Sequence, residues 1–288
     1  MVAAQIDANL PREPHSKGKT VPSPLAEARE KLARANRIIA NEGVLDAFGH
    51  VSMRHPTNPE RYLLSYSRSP ELVQADDIFE FTLDSEPIKT PAQRLYGERV
   101  IHGEIYKARP DVNAVCHHHA SSILPFCISG MELKPVYHLG ATLGSAAPFW
   151  DSRDEFGDTN LIVREPHQAA SLARALGPHW LVLMRRHGAT VAGHNLEELV
   201  FRTIYTARNA ALQIQAHGLG HVSPLTPGET ELAGPYNLQP GPVARAFEYW
   251  SVRLDKAEGS WPQRKAAARS AGRAAPKRSA ARRTKRRR

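Results

Sequence analysis

The first regular pattern of the chain is a run of apolar residues at helical spacing, closed by Gly43. Ser23 suits an N-cap and Pro24 suits the first helical position. The run therefore predicts a helix of about five turns. Its apolar positions are Leu25, Ala28, Leu32, Ala35 and Ile39.

Alternating segments and turns follow this helix. Three short strand-like runs predict an antiparallel meander, and Thr90-Pro91 leads into a helix that carries Glu98. Further on, the pattern predicts strands at 112–119, 179–184 and 190–192, and helices at 121–128, 166–176, 195–216 and 244–256, with a Gly/Pro-rich linker at 225–242. Central strands with helices between them and at both ends predict an α/β fold. The expected arrangement is a three-layer α/β/α single domain around a mixed, largely antiparallel sheet.

Composition divides the chain into three parts: a polar arm at 1–22, a folded domain at 23–258 and a basic tail at 259–288. From Arg264 to Arg288 there are twelve Lys or Arg and no acid, and subtracting these from the net charge of +9 leaves −3 on the rest. The tail is expected to be disordered and to bind nucleic acid only non-specifically, if at all.

No apolar run approaches the ~20 residues needed to span a bilayer, and residues 1–20 lack the apolar core of a secretory signal. Two cysteines, Cys116 and Cys127, do not suggest a disulfide framework. These features predict a cytoplasmic protein without membrane contact.

Three histidines and one acid carry the candidate chemistry. In an extended strand, His117 and His119 share one face and His118 lies on the other. His187 ends a later apolar strand, and Glu98 precedes His117 by 19 residues, enough for a helix and a turn. Three imidazoles and a carboxylate suit zinc, manganese, iron or cobalt. The alternative is that these histidines are ordinary core or surface residues.

The chain resembles the class II aldolase/adducin family in an ordered set of motifs. These are GHVSMR near the start, then Glu98, the segment RPDVNAVCHHH, and finally His187-Gly188. The resemblance implies a class II aldolase-like fold and one divalent metal ion per subunit, most often zinc or manganese. It implies His117, His119 and His187 as ligands, with Glu98 as a fourth ligand or an acid/base. It also implies a homotetramer with active sites between neighbouring subunits.

Two positions depart from the sugar-phosphate aldolases of this family, which hold phosphate with Asn in GN[IV]S and with Ser-Ser before the glutamate. Here His50 and Tyr96-Gly97 stand at these places, so a phosphate substrate is not expected. His50, Arg68 and Tyr96 are expected to contact a carboxylated substrate instead, since Arg suits bidentate carboxylate recognition. Tyr205 is a weaker candidate for a proton donor.

The variant motifs resemble the decarboxylase branch of the family, which includes 3-hydroxy-2-methylpyridine-4,5-dicarboxylate decarboxylase and 2-hydroxy-3-carboxymuconic semialdehyde decarboxylases. The resemblance implies decarboxylation of a hydroxylated aromatic, heteroaromatic or dienoic acid through a metal-stabilised enolate. The alternatives are an aldolase for an unphosphorylated hydroxy-keto acid, an iron-dependent oxygenase, or a non-catalytic adducin-like binding protein.

Overall fold

A computed structural model describes residues 22–145 and 147–260 of the chain. The helices are α1 (Pro24–Asn41), α2 (Arg99–Ala108), α3 (Leu124–Ser129), α4 (Ser152–Phe156), α5 (Pro166–Leu176), α6 (Leu196–Leu219), α7 (Pro227–Asn237) and α8 (Pro240–Ala257). The strands are β1 (His50–Arg54), β2 (Arg61–Ser65), β3 (Ile78–Thr82), β4 (Ala114–His118), β5 (Phe149–Trp150), β6 (Leu181–Met184) and β7 (Gly188–Gly193).

The seven strands form one sheet in the order β3-β2-β1-β4-β7-β6-β5. All neighbours are antiparallel except β5 and β6, which are parallel. The sheet is therefore mixed and largely antiparallel, as the sequence predicts, and β1 to β3 form the expected meander. The central strands β1, β4 and β7 are paired on both sides, which buries their backbone polar groups in the ladder.

Helices cover both faces of the sheet. Alternate residues of β4 supply the two cores: Ala114 and Cys116 belong to the core under α1, α3, α6 and α8, whereas Val115 belongs to the core under α2 and α5. This is the period-2 alternation of a strand buried on both faces. The prediction of a three-layer α/β/α single domain is confirmed.

The predicted start of α1 has the expected local chemistry, since the Ser23 side chain accepts a hydrogen bond from the Ala26 amide. The start of α2 differs from the prediction. The helix does not extend back toward Thr90-Pro91 but begins at Arg99, with Glu98 at the N-cap position. Glu98 is therefore held at a bend in the chain rather than on a helix face.

The prediction that residues 225–242 form a linker is wrong, because most of this segment is the helix α7. Thr226 and Glu229 form a capping box at its start, and Asn237 donates to the His138 carbonyl oxygen near its end. Pro and Gly make this segment a poor helix former by itself. Packing against the 3-10 turn His138–Leu143 and a good N-cap outweigh that preference.

The predicted arm at 1–22 and the predicted basic tail at 259–288 lie almost wholly outside the described residues, so the disorder and nucleic-acid contact expected there stay predictions. None of the described helices has both the length and the apolar composition needed to cross a bilayer.

Candidate active site

Three elements converge to bring the predicted ligands together. His117 lies in β4, and its Cα is paired with Thr190 of β7 on one side and His50 of β1 on the other. His119 follows the end of β4, and His187 immediately precedes β7. Glu98 reaches the same point from the start of α2. The local turn between β6 and β7 thus places His187 beside the end of β4.

The ligand atoms of these four residues all lie within 4.8 Å of one another. His117 Nε2 is 3.1 Å from His119 Nε2 and 3.7 Å from Glu98 Oε2, and His187 Nε2 is 3.5 Å from Glu98 Oε1. Ligands bound at the usual length to one tetrahedral ion lie about 3.4 Å apart. The spacing of the four side chains fits a single divalent ion.

A hydrogen bond fixes which nitrogen of His117 is free to bind. The Thr190 hydroxyl donates to Met184 Sδ, so its oxygen can accept from His117 Nδ1–H, which lies 3.2 Å away. Nε2 then carries the lone pair that faces the other ligands. A metal-bound histidine usually donates the N–H of its other ring nitrogen to a nearby acceptor, as His117 does here to Thr190.

Burial keeps the imidazoles in the form that binds metal. It lowers the pKa of His187 to about 4 and that of His117 well below its usual range, with neighbouring histidines lowering both further. Burial also raises the pKa of Glu98 to about 7, although the Val163 amide donates to its carboxylate. The site is therefore a set of neutral imidazoles around a carboxyl group whose charge lacks solvation, and both features favour a cation.

Gly188 lets the His187 turn approach β4. A Cβ at this position would overlap the His118 carbonyl oxygen and lie 2.8 Å from His119 Cδ2. Both neighbours belong to the segment from His117 to His119 that carries two of the ligands, so they cannot move without moving the site.

Substitution of Gly188 by alanine is expected to destabilise the fold by about 1–3 kcal/mol, the usual cost of overpacking, and to weaken metal binding. Urea unfolding measures the first effect. Gly218→Ala is the control, because Gly218 lies in α6 and no other atom would be within 4 Å of an added Cβ. It should be neutral or stabilising by up to about 1 kcal/mol. Equal stability of the two variants would contradict the proposed close approach.

A cleft of 320 Å³ opens beside the ligands. Its lining includes Glu98, His119 and His187, together with His50 and Tyr96, two of the residues predicted to contact substrate. The rings of His50 and Tyr96 pack against each other with centroids 4.6 Å apart. The cleft is therefore a place where a small molecule can reach the ligand cluster.

Arg68 also lines the cleft, but its guanidinium is engaged within the protein. Its Nη1 donates to both oxygens of Asp77, at 2.9 and 3.0 Å, and to the Tyr66 hydroxyl. The Tyr96 hydroxyl donates to the Arg68 carbonyl oxygen, so Tyr96 offers the cleft its ring rather than a free donor. The predicted substrate contacts of Arg68 and Tyr96 stay predictions, and these bonds weaken the case for both.

A second arginine in the cleft was not predicted. Arg164 lies on the lining next to Gly97, where an added Cβ would be 3.1 Å from Arg164 Nε. Its side chain is exposed and has no hydrogen bond or ion pair within residues 22–145 and 147–260. No motif surrounds Arg164, so only its place in the fold identifies it.

Two other predicted residues lie apart from the ligand cluster. Tyr205 packs against Phe201 and Trp250 in the core under α6 and α8, and it is not among the residues that line this cleft. His118 is buried on the opposite face of β4 from the ligands and accepts from the Ala120 amide. The role of Tyr205 as a proton donor stays a prediction, because Tyr205 does not line the cleft of its own chain.

Known proteins resemble this chain in sequence and in fold. Decarboxylase tropJ of Talaromyces stipitatus is 32% identical over 235 residues, which covers 74% of this chain and 88% of that protein. The 3,4-dihydroxyphthalate decarboxylase of Arthrobacter keyseri is 28% identical over 258 residues, covering 83% and 98%. The structure of L-fuculose 1-phosphate aldolase from Glaciozyma antarctica matches with a TM-score of 0.69 at 20% identity, covering 85% and 96%.

The sequence pattern of the family described as Class II Aldolase and Adducin N-terminal domain matches residues 30–214, a span that includes most of α1, all seven strands and every predicted ligand. The match covers more than half of the chain and agrees with the fold, the ligand cluster and the relatives. The chain belongs to the class II aldolase and adducin N-terminal domain family, and its relatives within that family include decarboxylases.

Proposed function

We propose that this chain is a metal-dependent decarboxylase that acts on a hydroxylated aromatic, heteroaromatic or dienoic carboxylic acid. The observation that carries the proposal is a four-residue ligand cluster beside a cleft whose wall holds an unpaired arginine within the described part of the chain. Two relatives that align over most of their length are decarboxylases, and the name of one specifies a dihydroxylated aromatic dicarboxylate.

His117, His119 and His187 would hold the ion, with Glu98 as a fourth ligand or as the group that moves a proton. Zinc and manganese are the preferred ions, and iron or cobalt would also suit this donor set. When bound, the ion would supply Lewis-acid stabilisation of the negative charge that develops on a substrate oxygen as CO₂ leaves. The carboxyl of Glu98 lies within the cluster, close enough to exchange a proton with a molecule in the cleft.

The side chains of the cleft suit a flat carboxylated substrate. Tyr96 and the exposed ring of Phe48 provide aromatic surface, and Arg164 provides the uncommitted positive charge. We assign carboxylate recognition to Arg164 rather than to Arg68, because the guanidinium of Arg68 already neutralises Asp77.

Arg164→Met is expected to raise the KM for the carboxylate substrate by about 10–100-fold, the equivalent of one charged hydrogen bond, with a smaller effect on kcat. Thermal stability should change little, since the Arg164 side chain has no hydrogen bond or ion pair within the described residues and its charge acts only on the nearby Glu98 carboxyl. Steady-state kinetics and a melting curve measure both quantities.

Two further variants control this prediction. Arg174→Met removes an exposed arginine of α5 outside the cleft and should leave KM unchanged. Arg68→Met should lower Tm, because it leaves the buried Asp77 without its cation. An unchanged KM in Arg164→Met, with a raised KM in a folded Arg68→Met, would reverse the assignment.

We also propose a homotetramer with active sites at subunit interfaces, which would give Tyr205 a route to the site of a neighbouring copy. Exposed apolar side chains support an interface, including Ile128 at 62% and Leu219 at 92% exposure. Light scattering on the purified protein tests the assembly. A monomer with full activity would remove the proposed role of Tyr205.

The proposed reaction is tested by product analysis with a panel of hydroxylated aromatic and dienoic acids that includes 3,4-dihydroxyphthalate. Release of one CO₂ for each substrate consumed supports the proposal. An aldehyde or ketone product from a hydroxy-keto acid would instead indicate an aldolase, and oxygen consumption with an iron-loaded protein would indicate an oxygenase.

A further inference from the structure

A buried chain of hydrogen bonds runs from the cleft into the core behind His50. His50 Nδ1 lies 2.6 Å from His102 Nε2, His102 Nδ1 lies 2.6 Å from Ser52 Oγ, and Ser52 Oγ lies 2.7 Å from the Tyr106 hydroxyl. His102 and Ser52 are fully buried, and Tyr106 and His50 are nearly so. His102 thus supports His50, not Glu98, although Glu98 precedes it by one helical turn.

The direction of this chain follows from counting protons. A neutral imidazole has one donor and one acceptor nitrogen, and a hydroxyl has one proton. Burial lowers the pKa of His102 to about 3, which keeps its ring neutral. If Tyr106 donates to Ser52, Ser52 to His102 and His102 to His50, each of these three protons has an acceptor, and only His50 Nε2–H is left to face the cleft.

The opposite direction leaves a buried proton unpaired. If His50 donates to His102, then His102 Nδ1–H must donate to Ser52. Either the Ser52 or the Tyr106 hydroxyl proton is then without an acceptor, because neither hydroxyl has another partner in the described part of the chain. An unpaired buried donor is strongly disfavoured, so each hydrogen bond in this series donates in the direction from Tyr106 toward the cleft.

We infer that Tyr106, Ser52 and His102 are positioning residues that hold His50 as the Nε2–H tautomer, so that His50 presents a hydrogen-bond donor to an oxygen of the substrate. Nδ1 is occupied by His102, and Nε2 has no partner within residues 22–145 and 147–260, which leaves it for a ligand in the cleft that His50 lines. His50 then acts as a fixed donor and cannot accept a proton through the same nitrogen. The role toward a substrate oxygen rests on the proposed function, whereas the tautomer does not.

The tautomer is read directly by NMR on protein labelled with ¹⁵N-histidine, recorded without metal and after addition of Zn²⁺. Signals of His50 and His102 are assigned by their loss in His50→Gln and His102→Gln. Both rings are expected to be neutral, with protonated Nε2 and unprotonated Nδ1. Protonated Nδ1 in His50 would overturn the inference, whatever reaction the protein catalyses.

Kinetics test the consequence. His102→Leu removes the donor to His50, and kcat is expected to fall by about 10–100-fold, the range found for partners that orient metal-bound histidines. His102→Gln can donate to His50 and accept from Ser52, so it should recover a large part of the activity. Equal kcat for wild type and a folded His102→Leu would show that the chain does not position a group used in catalysis. If no substrate is found, the NMR result still decides the tautomer.

Discussion

Replacement of His117 by asparagine is expected to lower metal affinity by more than about 100-fold, beyond what loss of a supporting residue costs, and to abolish activity at ordinary metal concentrations. Asparagine retains a polar atom near the position of Nδ1, which faces Thr190, but has no atom in place of Nε2, which faces His119 and Glu98. Metal content by mass spectrometry after dialysis, together with activity, measures the effect.

The neighbouring histidine provides a matched control. His118→Asn makes the same chemical change one residue along β4, on the opposite face of the sheet, where Nδ1 accepts from the Ala120 amide. It should retain about one ion per chain and most of the activity. If both variants kept their metal, or both lost it while folded, His117 would not be a specific ligand.

Glu98→Gln is expected to reduce kcat by about 10²–10⁴-fold, the range associated with loss of a positioned acid or base. Glutamine has the same shape and retains an acceptor for the Val163 amide, so the bend before α2 should be preserved. Activity is measured at saturating metal and metal affinity is measured in parallel. A fall in kcat with metal still bound would indicate proton transfer, whereas a fall in affinity would indicate a ligand.

Glu104→Gln is the control for this change. Glu104 lies in α2, the helix that follows Glu98, but it pairs with Lys107 away from the ligand cluster. It should leave kcat and metal content unchanged. Wild-type activity and affinity in Glu98→Gln would exclude both roles for Glu98.

Strand periodicity was sufficient to predict that His117 and His119 lie together, whereas the full ligand set was implied by the family resemblance. The alternation along β4 places His117 and His119 on one side, and Gly188 allows the close approach that its position after an apolar strand suggests. These features depend on local geometry that a single strand imposes. The fold class followed in the same way from the order of helices and strands.

The sequence predicted His50, Arg68 and Tyr96 near the substrate, but it could not predict which arginine of the cleft wall has a protein partner, because that depends on contacts made only in the folded chain. Arg68 has its charge neutralised by Asp77, which ends the 3-10 turn Ala75–Asp77, and Arg164 comes to the cleft from the loop before α5. Spacing in the sequence does not indicate which arginine is free. The sequence also did not indicate the hydrogen-bond partners of His102, because the fold brings His50 and Ser52 of β1 to it.

The most direct test is CO₂ release by the 288-residue protein from hydroxylated aromatic dicarboxylic acids, measured with bound metal, after removal of metal by a chelator, and after restoring Zn²⁺ or Mn²⁺. We predict CO₂ release with metal, its loss on chelation and its return when the ion is restored, with about one ion bound per chain. A folded protein that neither contains nor takes up a divalent ion, or that releases CO₂ equally well without one, would contradict the proposed metal-dependent decarboxylase.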